Sequence, residues 1–395
     1  MAKVPYFSSR RGRILKENLT AYIFIAPAAV IIGAFGLFPV LSTVYISLHR
    51  WRIRRTRFIG LANLRDALGN PVYLLVIILG ILLLGSAWFA VRRMPGKGRA
   101  KWARVFTVAL LALSGAATLA VGLPYMASSG DEAMFDSLRV TVWYSLVTVP
   151  CQLVLGLIVA YLLFQRVPGK QGLRVTYLLP YVVPSVASAA VFEILFSLRP
   201  ESFVNQIIGL FGIPAQQWLQ EPKGVFQIIA GAFSKGIGPG GGAISKYWSA
   251  WAQGPSLALV SIMIYNIWVF TGYYALIYLA GLGNISRELY EAAEVDGANR
   301  LQSFIHITVP LLSPTTFFLT LLGVIGTFNA FNHIYVLRSS SARGVVDTMS
   351  IYIFFTFFRN ASFGYAAAMA LVLFVITLSL TIIQRRMLEG KVFYG

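Results

Sequence analysis

The chain contains little charge and a single cysteine. Of its 395 residues 12% are charged, where soluble proteins have about a quarter, and 57% are hydrophobic. This balance excludes an ordinary soluble domain and indicates an integral membrane protein. Cys151 stands alone, which excludes an internal disulfide, and its place within an apolar run is typical of a small buried side chain.

The sequence also lacks the patterns that enzymes need. It has no G-x-x-x-x-G-K-[ST] phosphate loop, and it contains neither a pair of carboxylates nor a Ser/His/Asp arrangement. Its 3 histidines, His49, His306 and His333, stand in separate segments, so we expect no metal site. We therefore predict a non-catalytic chain without a cofactor or metal of its own.

Positive charge is the one charge in excess, with a formal net charge of +19. The basic residues cluster in connections between apolar runs and form no face interleaved with accessible aromatic side chains. We therefore expect contact with lipid and no binding of nucleic acid. The positive-inside rule places the basic connections in the cytoplasm. These are the tail with Lys3 to Lys16, residues 92–104, residues 166–174 and the tail after Gln384.

Eight apolar runs reach the roughly 20 residues that a helix needs to cross a membrane. Because backbone groups in lipid must be satisfied within the segment, each run is predicted to be a helix, which makes the fold all-α. The first run is too long for a signal peptide, and we interpret it as an uncleaved membrane helix. The runs are 20–48, 73–91, 105–126, 138–164, 174–198, 256–282, 313–335 and 363–384.

With eight spans both termini lie in the cytoplasm, and four connections face outward. Residues 49–57 (HRWRIRRTR) contradict the positive-inside rule there, and we interpret them as an amphipathic or lipid-surface stretch. Residues 199–255 and 336–362 form the two long outward connections. The sequence GIGPGGG at 236–242 has no phosphate-loop pattern and indicates a flexible connector.

The cytoplasmic connection after the sixth run is long and has internal order. Ser286 is predicted to cap a helix that has Glu288 in its first turn and runs to about Val295. Asp296-Gly297 predicts a turn, since glycine accepts a left-handed backbone at a helix C-terminus. A second helix is predicted next, and Pro310 and Pro314 mark the start of the following span. Its apolar face is predicted to consist of Leu301, Phe304, Ile305 and Thr308.

Two interpretations of this connection follow from its residues. Ala292 and Ala293 leave a smooth surface beside the charges of Glu291 and Glu294, which suits the close approach of another protein. The alternative is a solvated amphipathic loop that rests on the bilayer.

Several separate motifs resemble one family of transport proteins. The connection contains E-A-A-x-x-D-G-A at 291–298, followed by Ile307 and Val309-Pro310. This is similar to the signature loop of ABC importer permeases. Further motifs resemble the maltose-type carbohydrate permeases, and the match covers most of 1–70 and 135–395. These motifs are TGYYALIYLAGLGNISRELYEAA (271–293), FIGLANLRDAL (58–68), LRVTYLLPYVVPSV (173–186) and FGYAAAMALVLF (363–374).

The resemblance implies a six-helix permease core with two extra helices. Residues 1–71 would hold the N-terminal tail, the first membrane helix and an outward arm. Residues 72–134 would be an inserted two-helix hairpin, which the family core lacks. Residues 135–395 would be the core, with an outward insertion near 223–252 and a coupling loop at 283–312. SSSARG at 339–344 departs from the family, whose members usually carry a Gly-Gly-Pro turn there.

The resemblance also implies partners and a location in the bacterial inner membrane. A dimer of ATP-binding subunits would hold ATP and magnesium and dock on the coupling loop. The other partners would be a second permease subunit, an extracytoplasmic solute-binding protein and a carbohydrate. The residues that would contact the ATPase are Glu291, Ala292, Ala293, Asp296, Gly297, Ile307 and Pro310.

Polar and aromatic side chains within two spans indicate a path for the carbohydrate. Sugars are recognised by polar groups for their hydroxyls and by aromatic faces. An amide in lipid is costly unless it faces a cavity or a partner helix. Each aromatic residue taken singly is better explained by packing or by an interfacial belt than by sugar contact, so the candidates are proposed as a set. They are Asn266, Trp268, Tyr273, Tyr274, Phe328, Asn329 and Asn332.

Two functions from other classes stay open at this point. One is an ATP-independent channel or carrier whose cytoplasmic loop binds a regulator. The other is a membrane scaffold built by the two extra helices. These helices either pack at the periphery against lipid or seat an accessory subunit.

Overall fold

The computed structural model describes residues 10–92, 99–165, 168–233 and 242–388, and this part is helical apart from one two-stranded sheet. Within it, six helical stretches are long and apolar enough to cross a membrane, and two bent pairs of helices bring the number to eight if each pair is one span. The all-α membrane fold is therefore confirmed. Lys3, residues 93–98 and 166–167, most of the glycine-rich segment and residues 389–395 lie outside the described residues.

The elements follow the order of the predicted spans. The helices up to the middle of the chain are α1 (Arg10–Ile32), α2 (Phe38–Ser47), α3 (Ala62–Leu68), α4 (Pro71–Arg92), α5 (Arg99–Ser129), α6 (Glu132–Phe164), α7 (Lys170–Val182), α8 (Ser185–Leu195) and α9 (Phe203–Gly209). They are followed by α10 (Val225–Phe233), α11 (Ala243–Ala252), α12 (Leu257–Gly283), α13 (Arg287–Val295), α14 (Arg300–Ser303), α15 (Val309–Leu311), α16 (Ser313–Phe328), α17 (Asn332–Leu337), α18 (Met349–Phe358) and α19 (Phe363–Leu388). The strands are β1 (His49–Trp51) and β2 (Arg55–Phe58).

Six of the predicted spans are continuous helical stretches. The first is built from α1 and α2, which are joined by a π-helical turn at Gly33–Leu37, so helical structure is unbroken across Ile14–Ser47. The other five are α4, α5, α6, α12 and α19.

The prediction of one straight helix over 174–198 is wrong. The chain bends by 94° between α7 and α8. The cause is Pro184, which has no N–H to donate and keeps the preceding residue out of helical geometry. Val183 accordingly has an extended backbone, with ψ of 136°.

The prediction of one helix over 313–335 is also wrong. Helix α16 ends at Phe328, and the chain resumes helical geometry only at α17. Residues 329–331 between them leave the α region at Phe331, which has φ of −137°. The polar residues at this break lie where an uninterrupted apolar helix was expected.

Two outward segments contain structure that was not predicted. Residues 49–58 form an antiparallel hairpin of β1 and β2, whereas the sequence predicted an amphipathic or lipid-surface stretch at 49–57 without strand pairing. The connection 336–362 contains the apolar helix α18, whose 10 residues are too few to be recognised as a span.

Helix α12 lies at the centre of the described bundle, and glycines let its neighbours approach closely. A Cβ atom at Gly272 would lie inside the contact distance of the Tyr177 carbonyl oxygen, so α7 packs directly on the α12 backbone. Tyr274 lies between Gly156 of α6 and Gly323 of α16: a Cβ at Gly156 would collide with the Tyr274 Cβ, and a Cβ at Gly323 would collide with the Tyr274 hydroxyl. Small residues thus set the spacing of these helices.

The two segments predicted to be insertions, 72–134 and 223–252, pack against each other. The Nε1 atom of Trp248 in α11 donates to the Ala120 carbonyl of α5 at 2.9 Å. Lys246 of α11 forms an ion pair with Glu132 at the start of α6. The described part of the predicted insertion near 223–252 therefore packs on α5 and on the start of α6.

Asp131 ties several elements together at one end of the bundle. Its Oδ1 atom caps α6 by accepting from the backbone N–H groups of Ala133 and Met134 at 3.0 and 3.2 Å. Its Oδ2 atom accepts from the hydroxyls of Tyr352 in α18 and Tyr365 in α19 at 2.8 and 2.6 Å. We call this end the Asp131 end.

Replacing Asp131 is expected to destabilise the fold. Asp131→Ala removes a cap worth about 1 kcal/mol and two hydrogen bonds to a charged group, each worth about 1.5–3 kcal/mol, so we expect a loss of roughly 2 kcal/mol or more. Asp131→Asn keeps the cap and is expected to lose less. The measurement is the unfolding midpoint in detergent. The control is Asp136→Ala, because the ion pair of Asp136 is with its helical neighbour Arg139 at a half-exposed site, where such pairs contribute little. Equal midpoints for Asp131→Ala and Asp136→Ala would contradict this account.

Candidate functional site

A cavity of about 630 Å³ lies along α12. It is bounded by α12, by the break between α7 and α8 and by the break between α16 and α17. Val183 and Pro184 line it from the first break, and Asn329 and Phe331 line it from the second. Irregular backbone at membrane depth is tolerated where it lines a cavity. This explains why the two helix breaks and the cavity occur at the same place.

The cavity lining is polar without formal charge. None of its described lining residues is Asp, Glu, Lys or Arg. Hydroxyl, amide and imidazole groups supply the hydrogen-bonding capacity, and such a surface suits an uncharged polar ligand. The principal polar residues are Gln152, Tyr181, Ser185, Tyr265, Asn266, Tyr273, Thr327, Asn329, Asn332 and His333.

A chain of hydrogen bonds connects three helices at the wall of this cavity. Gln152 of α6 donates from Nε2 to Asn266 Oδ1 at 2.6 Å. Asn266 of α12 donates from Nδ2 to His333 Nε2 in α17 at 3.4 Å, and Tyr144 OH lies 2.6 Å from the same nitrogen. Because the amide can only donate through Nδ2, His333 Nε2 is the acceptor and the Tyr144 hydroxyl donates to it.

Tyr265 fixes the start of α8 against α12. Its hydroxyl donates to the Ser185 carbonyl at 3.0 Å and lies 2.7 Å from the Ser188 hydroxyl. These bonds satisfy polar groups next to Pro184, where the helix is interrupted. The break is therefore held in one geometry.

Aromatic rings complete the wall near the same break. Tyr181 of α7 stacks on Tyr273 of α12, with ring centroids 4.6 Å apart and an interplanar angle of 19°. Phe270 meets Tyr181 edge-on at 5.5 Å. The three rings present flat apolar surface beside the polar groups, a combination that suits sugar rings.

The structure brings five of the seven predicted path residues to the cavity. Asn266, Tyr273, Tyr274, Asn329 and Asn332 all line it. The Tyr274 hydroxyl already donates to the Leu319 carbonyl at 3.3 Å, so this residue contributes its ring more than its polar group.

The other two predicted path residues lie elsewhere. Trp268 is two positions after Asn266, which places it on another side of α12, where it is 46% exposed. Phe328 is 3% exposed and packs in a core cluster with Met349 and Met369. The sequence pattern could not separate the cavity face from these faces, because aromatic residues occur on all of them.

Several polar lining residues were not among the predicted path residues, and four of them are instructive. Gln152 had a usable signal, because an amide within an apolar span needs a polar partner. His333 was considered only as a metal ligand. Tyr181 and Ser185 line the cavity because of the bend at Pro184, which a straight span did not anticipate.

The predicted coupling loop is a well-capped pair of helical segments at the opposite end of the bundle from Asp131. The Ser286 hydroxyl accepts from the Glu288 N–H at 3.3 Å, which confirms the predicted cap of α13. Gly297 has φ of +80°, and Ala298 N–H donates to the Ala293 carbonyl at 2.8 Å, so α13 ends in a Schellman motif.

The second segment also starts with a complete cap. Asn299 and Gln302 form a capping box, with bonds of 2.9 and 2.7 Å. Helix α14 then passes into a π-helical turn at Phe304–Thr308 and into α15. This turn corrects the predicted apolar face, because its wider spacing points Phe304 and Thr308 inward and leaves Leu301 and Ile305 exposed.

Two contacts fix the base of the loop. The hydroxyls of Tyr290 in α13 and Thr308 lie 2.9 Å apart. Burial raises the pKa of Tyr290, and the hydrogen bond with Thr308 opposes that shift, so the phenol stays protonated at neutral pH. Phe304 packs on Tyr161 of α6 with ring centroids 4.6 Å apart. The loop is thereby joined to a membrane helix.

The tip of the loop is open. Of the predicted contact residues, Glu291, Ala292, Asp296, Gly297 and Pro310 are exposed, whereas Ala293 and Ile307 are half-buried.

Large apolar side chains are exposed on the same loop. Val295 is 88% exposed, and Leu289, Leu301 and Ile305 are exposed near it. Apolar groups on an ordered, solvent-facing loop are typical of a protein interface.

The cavity and the loop both lie in a part of the chain that resembles known proteins. A family model described as "Binding-protein-dependent transport system inner membrane component" matches residues 152–389. The chain is 26% identical over 370 residues to the trehalose/maltose transport system permease protein MalF of Thermococcus litoralis, which covers 93% of each protein.

Two solved structures share the fold. The first is a bacterial ABC transporter involved in the import of the acidic polysaccharide alginate, with a TM-score of 0.59, 17% identity and coverage of 97% of this chain and 99% of that chain. The second is a bacterial alginate ABC transporter in complex with an alginate pentasaccharide-bound periplasmic protein, with a TM-score of 0.53, 20% identity and coverage of 66% and 80%. The predicted resemblance to ABC importer permeases is confirmed.

The hydrogen bond between Gln152 and Asn266 predicts a measurable energetic coupling. Gln152→Leu leaves the buried Asn266 Oδ1 without its donor, and Asn266→Leu leaves the Gln152 amide with only its longer bond to the backbone carbonyl of residue 266. Each single variant is expected to cost about 1–3 kcal/mol, whereas the double variant removes both side chains. We expect a coupling energy of about 0.5–3 kcal/mol in a double-mutant cycle of unfolding in detergent. The matched cycle of Gln152→Leu with Trp268→Leu should be additive, because Trp268 is outside this network. Additivity in the first cycle would contradict the bond.

Proposed function

Because the chain belongs to the family of binding-protein-dependent transport system inner membrane components, we propose that it is a permease subunit of an ATP-driven importer for an uncharged carbohydrate. The observation that carries this proposal is the ordered loop at α13–α15, whose tip is open and whose base is fixed to α6. An element of this kind is suited to receive a movement from another protein and pass it to the membrane helices.

The energy for transport comes from a separate ATPase. A dimer of ATP-binding subunits holds ATP and magnesium and docks on Glu291, Ala292, Asp296 and the exposed apolar residues of the loop. When the ATPase closes, the loop moves as a lever, and its contact between Phe304 and Tyr161 transmits the movement to α6. This biases the permease between inward-facing and outward-facing states.

The carbohydrate passes through the cavity along α12. The Asn332 side chain lines it and forms no hydrogen bond with the described protein atoms, so its amide is available to a sugar hydroxyl. Asn329 uses its Nδ2 on the Ile325 carbonyl and keeps its oxygen free. The stacked rings of Tyr181 and Tyr273 contact the sugar's C–H faces. The absence of charged groups from the described lining favours a neutral sugar over an acidic one.

A second permease subunit closes the open side of this cavity. Phe318, Leu322 and Ile325 are exposed along α16, next to the cavity-lining residues Gly326 and Asn329. Such a row of apolar side chains suits another helix. An extracytoplasmic solute-binding protein delivers the sugar to the Asp131 end, as the periplasmic protein in the alginate transporter complex suggests.

Charge sets the orientation of the chain in the bacterial inner membrane. Lys170, Arg385 and Arg386 lie at the end of the bundle that carries α13, and the positive-inside rule places this end in the cytoplasm with both termini. A channel or carrier that works without ATP remains the alternative function. It would transport without an ATPase, and its loop would bind a regulator.

A glycine substitution in the loop tests the coupling. Gly297→Val places a β-branched residue at φ of +80°, which distorts the corner between α13 and α14, although a Cβ there meets no neighbouring atom. We expect ATP-driven uptake to collapse while the protein still inserts in the membrane.

The control for this test is Gly283→Val, which also has open space around its Cβ but does not have a positive φ. It should keep uptake near the parent level. Normal uptake by Gly297→Val would count against the coupling, and uptake without any ATPase would favour the alternative function.

Two cavity substitutions test the substrate path. Loss of one hydrogen bond to a sugar costs about 0.5–1.5 kcal/mol, so Asn332→Ala should raise the half-saturating sugar concentration about 2- to 10-fold. The double variant Asn329→Ala/Asn332→Ala should exceed either single variant. The measurement is sugar-stimulated ATP hydrolysis in the reconstituted complex. Trp268→Leu, on another face of α12, should change it little, and an equal effect of Trp268→Leu would refute the path.

A further inference from the structure

An arginine-lined pocket at the Asp131 end has no role in the proposed transport path. It has a volume of about 520 Å³ and lies between the hairpin of β1 and β2, helix α3 and the start of α19. Arg50, Arg52 and Arg57 line it, together with Asn63 and Asp66. These arginines belong to the basic segment that contradicts the positive-inside rule.

The three arginines are held together without a charge partner. Arg50 and Arg57 stand directly opposite each other in the antiparallel register, an arrangement that is destabilising for like charges. Asp66 lines the pocket, but within the described residues none of the three arginines forms an ion pair with it or with another carboxylate. The pocket therefore carries a net positive charge that an anion would neutralise.

The backbone of the hairpin is anchored, which keeps Arg50 and Arg57 at paired positions. Asn63 Nδ2 donates to the carbonyls of Ser47 and His49 at 2.7 and 3.0 Å. The Thr56 hydroxyl donates to the Arg50 carbonyl at 2.6 Å across the hairpin. At Gly364, where α19 begins, a Cβ would collide with the His49 carbonyl, so β1 lies directly on the helix backbone. The like charges are thus built into the fold.

The surroundings of the pocket indicate which anion it takes. The hairpin follows Ser47, the last residue of the stretch Ile14–Ser47, whose most apolar part contains no buried residue. Ile53 is 83% exposed, and Phe58 and Leu61 are exposed nearby. Apolar side chains beside basic ones at the end of a lipid-facing helix are typical of the membrane interface.

We propose that Arg50, Arg52 and Arg57 bind the phosphate of an anionic phospholipid headgroup in the leaflet at the Asp131 end. The guanidinium fork matches phosphate oxygens in a bidentate geometry. The bound lipid neutralises the pair Arg50 and Arg57 and secures the outer end of the first membrane helix against α19. This inference goes beyond the transport function and does not depend on the sugar or on the ATPase.

The test measures binding of phosphatidylglycerol to the full-length protein in detergent. The pocket variant is Arg50→Gln/Arg52→Gln/Arg57→Gln. The matched control is Arg199→Gln/Lys223→Gln/Arg343→Gln, which removes the same amount of charge from exposed positions at the same end, outside the pocket. We expect the dissociation constant to rise at least tenfold in the pocket variant and less than twofold in the control. Equal losses in both variants would mean attraction by net charge alone and would overturn the proposal.

Thermal unfolding distinguishes loss of the site from loss of the fold. Without lipid, the pocket variant should unfold at the same temperature as the parent or higher, because the repulsion between Arg50 and Arg57 is gone. Added phosphatidylglycerol should raise the unfolding temperature of the parent and the control, but not of the pocket variant. An equal rise in all three proteins would contradict the site.

Two further experiments distinguish a lipid headgroup from a soluble phosphate and from a protein partner. Inorganic phosphate at millimolar concentration should not displace the lipid, and displacement would assign the pocket to a soluble phosphate. The purified solute-binding protein should dock equally well on parent and pocket variant. Loss of docking with unchanged binding of phosphatidylglycerol would identify the pocket as a protein interface and overturn the lipid assignment.

Discussion

The amide of Asn266 is the group on which the membrane core depends. A polar side chain at this depth must find partners, because the lipid offers none. Asn266 accepts from Gln152 and donates to His333, which in turn accepts from Tyr144. These bonds bring α6, α12 and α17 to one point. They also hold the polar end of the broken span at α16 and α17 inside the bundle, where it borders the cavity.

The interrupted helices explain how a polar cavity exists in an apolar bundle. Pro184 stops α7, and residues 329–331 separate α16 from α17. Each break exposes backbone and places polar side chains toward α12, and each is stabilised by specific bonds such as that of Tyr265 to Ser185. Helix α6 contains both Gln152 of this network and Tyr161, whose ring packs against Phe304 of the loop. The cavity wall and the loop therefore contact the same helix.

The sequence was informative where a local rule decides the outcome. The Ser286 cap and the left-handed Gly297 follow from the chemistry of helix ends, and both are present. The positions of most spans follow from apolar length. The bend at Pro184 was within reach, because proline restricts its own residue and the one before it. The span was assigned from its hydrophobicity alone, and the bend was therefore not predicted.

Other features depend on contacts that no local pattern contains. Whether Trp268 faced the cavity or the outside depended on how α12 is rotated, which Gly272 sets by its close approach to Tyr177. The hairpin at 49–58 forms because Asn63 and Gly364 accommodate its backbone from distant parts of the chain. Tertiary contacts of this kind override local propensity.

The most direct test of the central claim is a cross-link from the tip of the loop. Val295 is exposed and lies beside the corner at Gly297, so a photo-reactive residue at this position should reach the docked partner. The account predicts a cross-link in native membranes to an ATP-binding subunit, and none to that subunit from the same group at Ile53 near the Asp131 end. A cross-link from Val295 only to lipid, or to a protein that binds no ATP, would contradict it.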